Sequence, residues 1–110
     1  MNQVQLVGRL ARSPELRYSR TGKAVAFLTV AVDGYFDKTK GETMTDFIDV
    51  KVWGKTAENV AKYCVKGSLV SVVGRLSSSS YEKNGQRVFK LEVVGDEIKF
   101  LSKPKSVMGG

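Results

Sequence analysis

Alternation of apolar and polar residues at every second position recurs in separate stretches of this chain and commits most of it to β-structure. Residues 3–10 place Val4, Leu6 and Leu10 on one side and Gln3, Gln5 and Arg9 on the other. Residues 24–33 (AVAFLTVAVD) are almost continuously apolar, as expected of a strand covered on both faces. Residues 46–53, 68–76 and 86–94 complete a set of five, and an extended piece from Glu97 to Leu101 either continues the last strand or pairs separately. Turn signals separate the runs: Ser13-Pro14, Thr21-Gly22, Lys40-Gly41 and Asn84-Gly85. Asn-Gly between extended runs signals a hairpin, because both residues tolerate the positive φ of a type I′ turn.

One segment breaks this rhythm. From Thr56 to Cys64, the residues Ala57, Val60, Ala61 and Cys64 fall at i, i+3, i+4 and i+7, a single helical stripe. Glu58 suits the first turn, Lys66 the region past the end, and Gly67 a left-handed stop. Three strands, a short helix and two strands is the order of the OB fold. The expected class is therefore all-β: a five-stranded Greek-key OB-fold barrel with one short helix between strands 3 and 4. The segments Leu6–Leu10 (LVGRL) and Val72–Leu76 (VVGRL) look like a repeat. Each carries a glycine where a small barrel must bend sharply, which explains the likeness without one. The expected organisation is one OB domain over residues 1–102, followed by a disordered basic tail over 103–110 (KPKSVMGG).

The residue inventory removes most chemistry. There is no histidine and Cys64 is the only cysteine. An internal disulfide and a thiolate–imidazole zinc site are therefore out of reach of one chain, as are histidine-based acid–base catalysis and a serine–histidine–carboxylate triad. Asp46 and Asp49 are candidates for gathering magnesium, but on a strand they point to opposite faces. The expectation is a protein that is not an enzyme, with no catalytic residues, no metal and no cofactor. Eighteen basic residues against 11 acidic ones give a net charge of +7, which favours a polyanionic partner. No apolar run approaches the roughly 20 residues of a membrane span, so no membrane partner is expected. The chain enters a strand pattern directly at Met1-Asn2-Gln3-Val4, which suggests no leader and a cytoplasmic location.

The strand at 46–53 is the informative one. Ile48, Val50 and Val52 occupy one face; Phe47, Asp49, Lys51 and Trp53 occupy the other. A half-buried strand ordinarily turns its largest aromatics inward, whereas here they share a face with charges. Two rings flanking a lysine make a platform on which bases of any sequence can stack while the cation meets phosphate. The competing reading is that a partner subunit or a loop covers this face. Gly34 to Thr45 reads as a long hairpin tip with Tyr35, Phe36, Lys38 and Lys40, and the second hairpin carries Tyr81, Lys83 and Arg87. OB folds bind ligands along strands 2–3 and the loops beside them.

These residues resemble a known family. Asn2 with Leu6-Val7-Gly8-Arg9-Leu10, Pro14-Glu15-Leu16-Arg17-Tyr18 and Thr29-Val30-Ala31-Val32 carry the likeness in the first third. Asp46-Phe47, Trp53-Gly54-Lys55-Thr56-Ala57-Glu58, Tyr63, Lys66-Gly67-Ser68 and Gly74-Arg75-Leu76 continue it. Over residues 2–101 the chain is similar to the bacterial single-stranded DNA-binding proteins (SSB), themselves a standard example of stacking grooves. The resemblance implies a homotetramer, built as a dimer of dimers through the first strands, with single-stranded DNA wrapped around it. It implies stacking on Tyr35, Phe47, Trp53 and Tyr81 and basic contacts from Lys38, Lys55 and Lys66. It further implies a nucleoid-associated role in replication, recombination, repair or DNA uptake.

Three departures stand out. Ser77-Ser78-Ser79-Ser80 replaces residues that are usually basic, and two aromatic positions are tyrosines where many members have tryptophan. Nothing acidic follows Lys103-Pro104-Lys105, the pattern of a truncated or tail-less form, so replication or repair enzymes are not expected to be recruited through a tail. Two other classes stay open on the residues alone: a module for single-stranded RNA, which shares the stacking logic, and an OB-type adaptor whose aromatic face is buried in a protein partner.

Overall fold

The computed structural model describes residues 1–102. In chain order its elements are β1 (Val4–Leu10), β2 (Glu15–Tyr18), β3 (Ala24–Asp37), β4 (Glu42–Trp53), α1 (Gly54–Tyr63), β5 (Leu69–Lys83) and β6 (Gln86–Phe100). The sheet order is β1-β5-β6-β4-β3-β2, and β1 also pairs with β3, which closes five strands into a barrel with β2 outside it. The OB architecture expected from the sequence is the one observed, with its helix after the third barrel strand. Most neighbours are antiparallel; β4 and β6 run parallel at Val50–Val52.

Closure depends on two glycines. β1 pairs with β5 from Val4 to Arg9 and then reaches β3 through Arg9↔Ala31 and Leu10↔Val30. At that crossing a Cβ on Gly8 would run into the Ala31 carbonyl oxygen and sit 2.8 Å from Val30 Cγ1. Gly74 lies where the β5–β6 register shifts, and a Cβ there would strike the Val94 carbonyl oxygen. The two look-alike segments thus share a mechanical reason for glycine: another backbone passes too close for a side chain.

The barrel interior holds Leu10, Leu28, Val30, Val50, Val52, Val70 and Val72, all fully buried, and α1 adds Ala57 and Val60. Burial of each such valine or leucine contributes about 1.5–3 kcal/mol before entropy is counted. Leu28, Val30, Val50 and Val52 come from two adjacent strands at every second position, so the alternation that set the strands also fills the core.

Several boundaries differ from the sequence reading. The helix starts at Gly54, and its first turn contains no acid, so Glu58 lies beyond it. It ends at Tyr63, with Cys64 already extended, φ −115° and ψ 148°. Gly67 (φ +92°) instead shapes the next turn, in which the Ser68 N–H donates to the Val65 carbonyl oxygen at 3.0 Å. β2 was not anticipated; its four residues are too few to display alternation. β3 is buried on both sides only at Ala24, Val25 and Ala26, after which Phe27, Thr29 and Ala31 are half-buried on the outward face. The long tip at Gly34–Thr45 is mostly strand: β3 and β4 continue as a ribbon, with a register shift between Asp33 and Phe36. Asn84 (φ 53°) and Gly85 (φ 78°) form the expected turn, and β6 continues unbroken through Glu97. The basic tail expected at 103–110 lies outside the described residues.

Candidate nucleic-acid interface

β4 turns Phe47, Asp49, Lys51 and Trp53 outward while Val50 and Val52 are buried. Phe47 is 65 % exposed and Trp53 38 %. Across the antiparallel ladder Ala31 lies opposite Phe47, Thr29 opposite Asp49, Phe27 opposite Lys51 and Val25 opposite Trp53. Opposed residues share a face, so Phe27 stands between the two rings that alternation had identified. β2 adds a third row: Arg17 lies opposite Val25, and its guanidinium sits 5.8 Å from the Phe27 ring centroid while pairing with Glu15. The polar centre is tied down, with the Thr29 hydroxyl donating to Asp49 Oδ1 at 3.3 Å and Arg12 Nε donating to Thr29 Oγ1 at 3.2 Å.

Two ammonium groups lie on Trp53. Lys23 Nζ is 5.1 Å and Lys51 Nζ 5.6 Å from its ring centroid. Lys51 is also 3.2 Å from Glu92 Oε1 on β6. Lys55 follows in the first turn of α1, exposed beside Trp53 in the chain.

The remaining candidates are spread over the projecting elements. Tyr35, 69 % exposed, sits in the unpaired step of the β3–β4 ribbon, and Lys38 begins its tip. The tip is organised by Asp37, whose carboxylate accepts from Thr39 Oγ1 at 2.6 Å and from the N–H groups of Thr39 (2.9 Å) and Lys40 (3.3 Å). The Thr39 hydroxyl chiefly holds that carboxyl below its ordinary value; desolvation opposes it, and the N–H groups of Thr39 and Lys40 add smaller lowering contributions. Tyr81, 50 % exposed, faces Val88 across the β5–β6 hairpin, on the same side as Lys90 and Glu92. Glu82 faces Arg87, so Arg87 lies on the opposite side of the hairpin from Tyr81, where it donates to Ser80 Oγ at 3.0 Å. Lys66 is in the turn after α1, its N–H donating to Ser13 Oγ at 3.3 Å.

The structure therefore sets Phe47, Lys51 and Trp53 on one outward face of β4, with Lys51 against the Trp53 ring, has Lys55 follow at the start of α1, and carries Tyr35, Lys38 and Tyr81 on two hairpins. Arg87 is on the other face of its hairpin from Tyr81, and Lys66 is in the turn after α1. Sequence reasoning missed Phe27, Arg17 and Lys23, because only strand register puts them beside the β4 face. Among the described residues no group of three His, Cys, Asp or Glu side chains could hold a metal ion, and no helix is long and apolar enough to cross a membrane.

Comparison with known proteins settles the family. The profile of the Single-strand binding protein family matches residues 1–101. The chain belongs to that family. Single-stranded DNA-binding protein B of Bacillus subtilis is 48 % identical over 106 residues, covering 94 % of each chain. The single-stranded DNA-binding protein of Halalkalibacterium halodurans is 52 % identical over 102 residues, which are 92 % of this chain and 61 % of that one. Single-stranded DNA-binding protein 3 of Listeria innocua is 48 % identical over 111 residues, spanning 100 % of this chain and 69 % of its own. The Single-strand binding protein family is a family of non-catalytic DNA-binding proteins. Within it, this chain presents a mixed aromatic and basic face three strands wide on one side of its barrel.

Proposed function

We propose that this protein binds single-stranded DNA without sequence preference, stacking bases on its outward rings and neutralising phosphates with its lysines. The observation that carries this reading is the shared outward face of Phe47 and Trp53 on β4, in a chain of the Single-strand binding protein family. Tyr35 and Tyr81 extend the stacking track onto the two hairpins. Lys38, Lys55 and Lys66 contact phosphate, Lys51 flanks the Trp53 ring, and Arg87 contributes from the far side of the β5–β6 hairpin.

The same reading includes a homotetramer, a dimer of dimers. β1 pairs with β5 along Val4–Arg9 but with β3 only at Arg9 and Leu10. The other edge of Val4–Gly8 is thus open to the β1 of a second copy, an isologous contact of the kind two-fold symmetry favours. The protein acts in the cytoplasm on nucleoid DNA exposed during replication, recombination, repair or DNA uptake.

Competition among a thymidine homopolymer, a matched RNA and a duplex tests the ligand. The homopolymer should bind most tightly, and each phosphate contact should add about 0.7 to the fall of log affinity with log salt. Preference for RNA would reassign the ligand; no binding to any homopolymer at low salt would leave the aromatic face to a protein partner.

A further inference from the structure

Among the described residues, Trp53 is the only ring with two ammonium groups against it, and the two are not equivalent. We propose that Lys23 is the phosphate contact at the Trp53 stacking position, and that Glu92 withholds Lys51 from that role. The proposal rests on the single-stranded DNA reading above.

Lys23 is placed by its backbone. The Ser19 N–H donates to the Lys23 carbonyl oxygen at 2.8 Å, and the Lys23 N–H donates to Ser19 Oγ at 3.1 Å. Lys23 precedes Val25 by two residues, and Val25 lies opposite Trp53, so the side chain emerges on the Trp53 face. It is exposed and has no carboxylate partner among the described residues. A lone cation on an exposed π-face is held weakly. A base stacking on Trp53 takes its place on the ring and delivers a phosphate within reach of the displaced ammonium, so one counterion is released for the contact formed.

Lys51 is in the opposite situation. Its ammonium lies 3.2 Å from Glu92 Oε1, with the two side chains only 27 % and 11 % exposed. A partly buried pair presents no net charge to an incoming phosphate, and drawing Lys51 away would strand a carboxylate that is mostly out of water. Register creates this pairing: β4 and β6 lie parallel at Lys51↔Val94, and Glu92 is two residues earlier on the same face. Glu92 therefore moderates the charge of the track at its central ring.

Salt titrations of homopolymer binding, read by Trp53 quenching, test both halves. Lys23→Ala should flatten the log–log salt slope by about 0.7, and Lys23→Arg should restore it. Glu92→Gln should free Lys51, tighten binding and steepen the slope by about 0.7. An unchanged slope for Lys23→Ala would overturn the Lys23 assignment, and an unchanged slope for Glu92→Gln would overturn the role given to Glu92. If the unaltered protein binds and quenches, either failure leaves the DNA-binding reading intact. If it does neither, that reading falls and takes the proposal with it.

Discussion

Asn2 holds both backbone groups of Leu76: its side-chain nitrogen donates to the Leu76 carbonyl oxygen at 2.8 Å, and its oxygen accepts from the Leu76 N–H at 2.8 Å. The β1–β5 register, Val4↔Gly74, carried two residues further arrives at this pair. The amide thus continues the ladder with a side chain where the backbone of β1 has not yet begun. Asn2→Ala should cost about 1 kcal/mol, since both bonds are exposed and each contributes modestly. The check is a lower denaturant midpoint at unchanged slope.

Gly74 predicts a larger loss. Its Cβ would press on the backbone of β6, with the Gly95 Cα at 2.9 Å, and neither strand can move without breaking the bulge. Gly74→Ala should destabilise by about 1–3 kcal/mol. A melting temperature equal to that of the unaltered protein would mean that the crossing is looser than it stands.

The tip of the β3–β4 ribbon should be acid-sensitive. Asp37 has its folded-state pKa lowered, chiefly by the Thr39 hydroxyl, so its contribution is present above the ordinary carboxylate value of 3.8 and is lost as pH falls through the lowered one. Exchange of the Thr39 and Lys40 amides should therefore accelerate in acid beyond the intrinsic rate. Asp37→Asn should show faster exchange near neutral pH and no such acid transition.

Assembly has a direct reading in mass. Light scattering at micromolar concentration should give four times the 12.1 kDa of one chain. A single-chain mass would remove the open β1 edge as a contact between copies.

What was legible in the sequence was local. Strict alternation over 46–53 was enough to place Phe47 and Trp53 on one face and Val50 and Val52 on the other, because the period of a strand needs no partner to be read. Asn84-Gly85 announced its turn for the same reason. What escaped was non-local or irregular. The unpaired step at Gly34-Tyr35 interrupts alternation, so a continuous ribbon read as a loop. The neighbours that define the platform come from register: Phe27 opposite Lys51, Lys23 two residues from the partner of Trp53, and Glu92 from a strand some 40 residues away in the chain. No pattern in a single segment carries that information. Tyr81 and Arg87 show the same limit in reverse, grouped by proximity in the chain and separated by the hairpin's two faces.

The central claim is that Trp53 is a stacking surface and not a core residue, and its own fluorescence decides it. Trp53 is the only tryptophan, and the residue is 38 % exposed on a strand whose Val50 and Val52 are fully buried. The free protein should emit as a partly exposed indole, and a thymidine homopolymer should quench that emission strongly. Trp53→Ala should remain folded and lose about 1–3 kcal/mol of binding per site. Blue-shifted emission indifferent to DNA, together with a Trp53→Ala variant that fails to fold, would contradict the claim, since truncating a core tryptophan costs about 3–5 kcal/mol of stability.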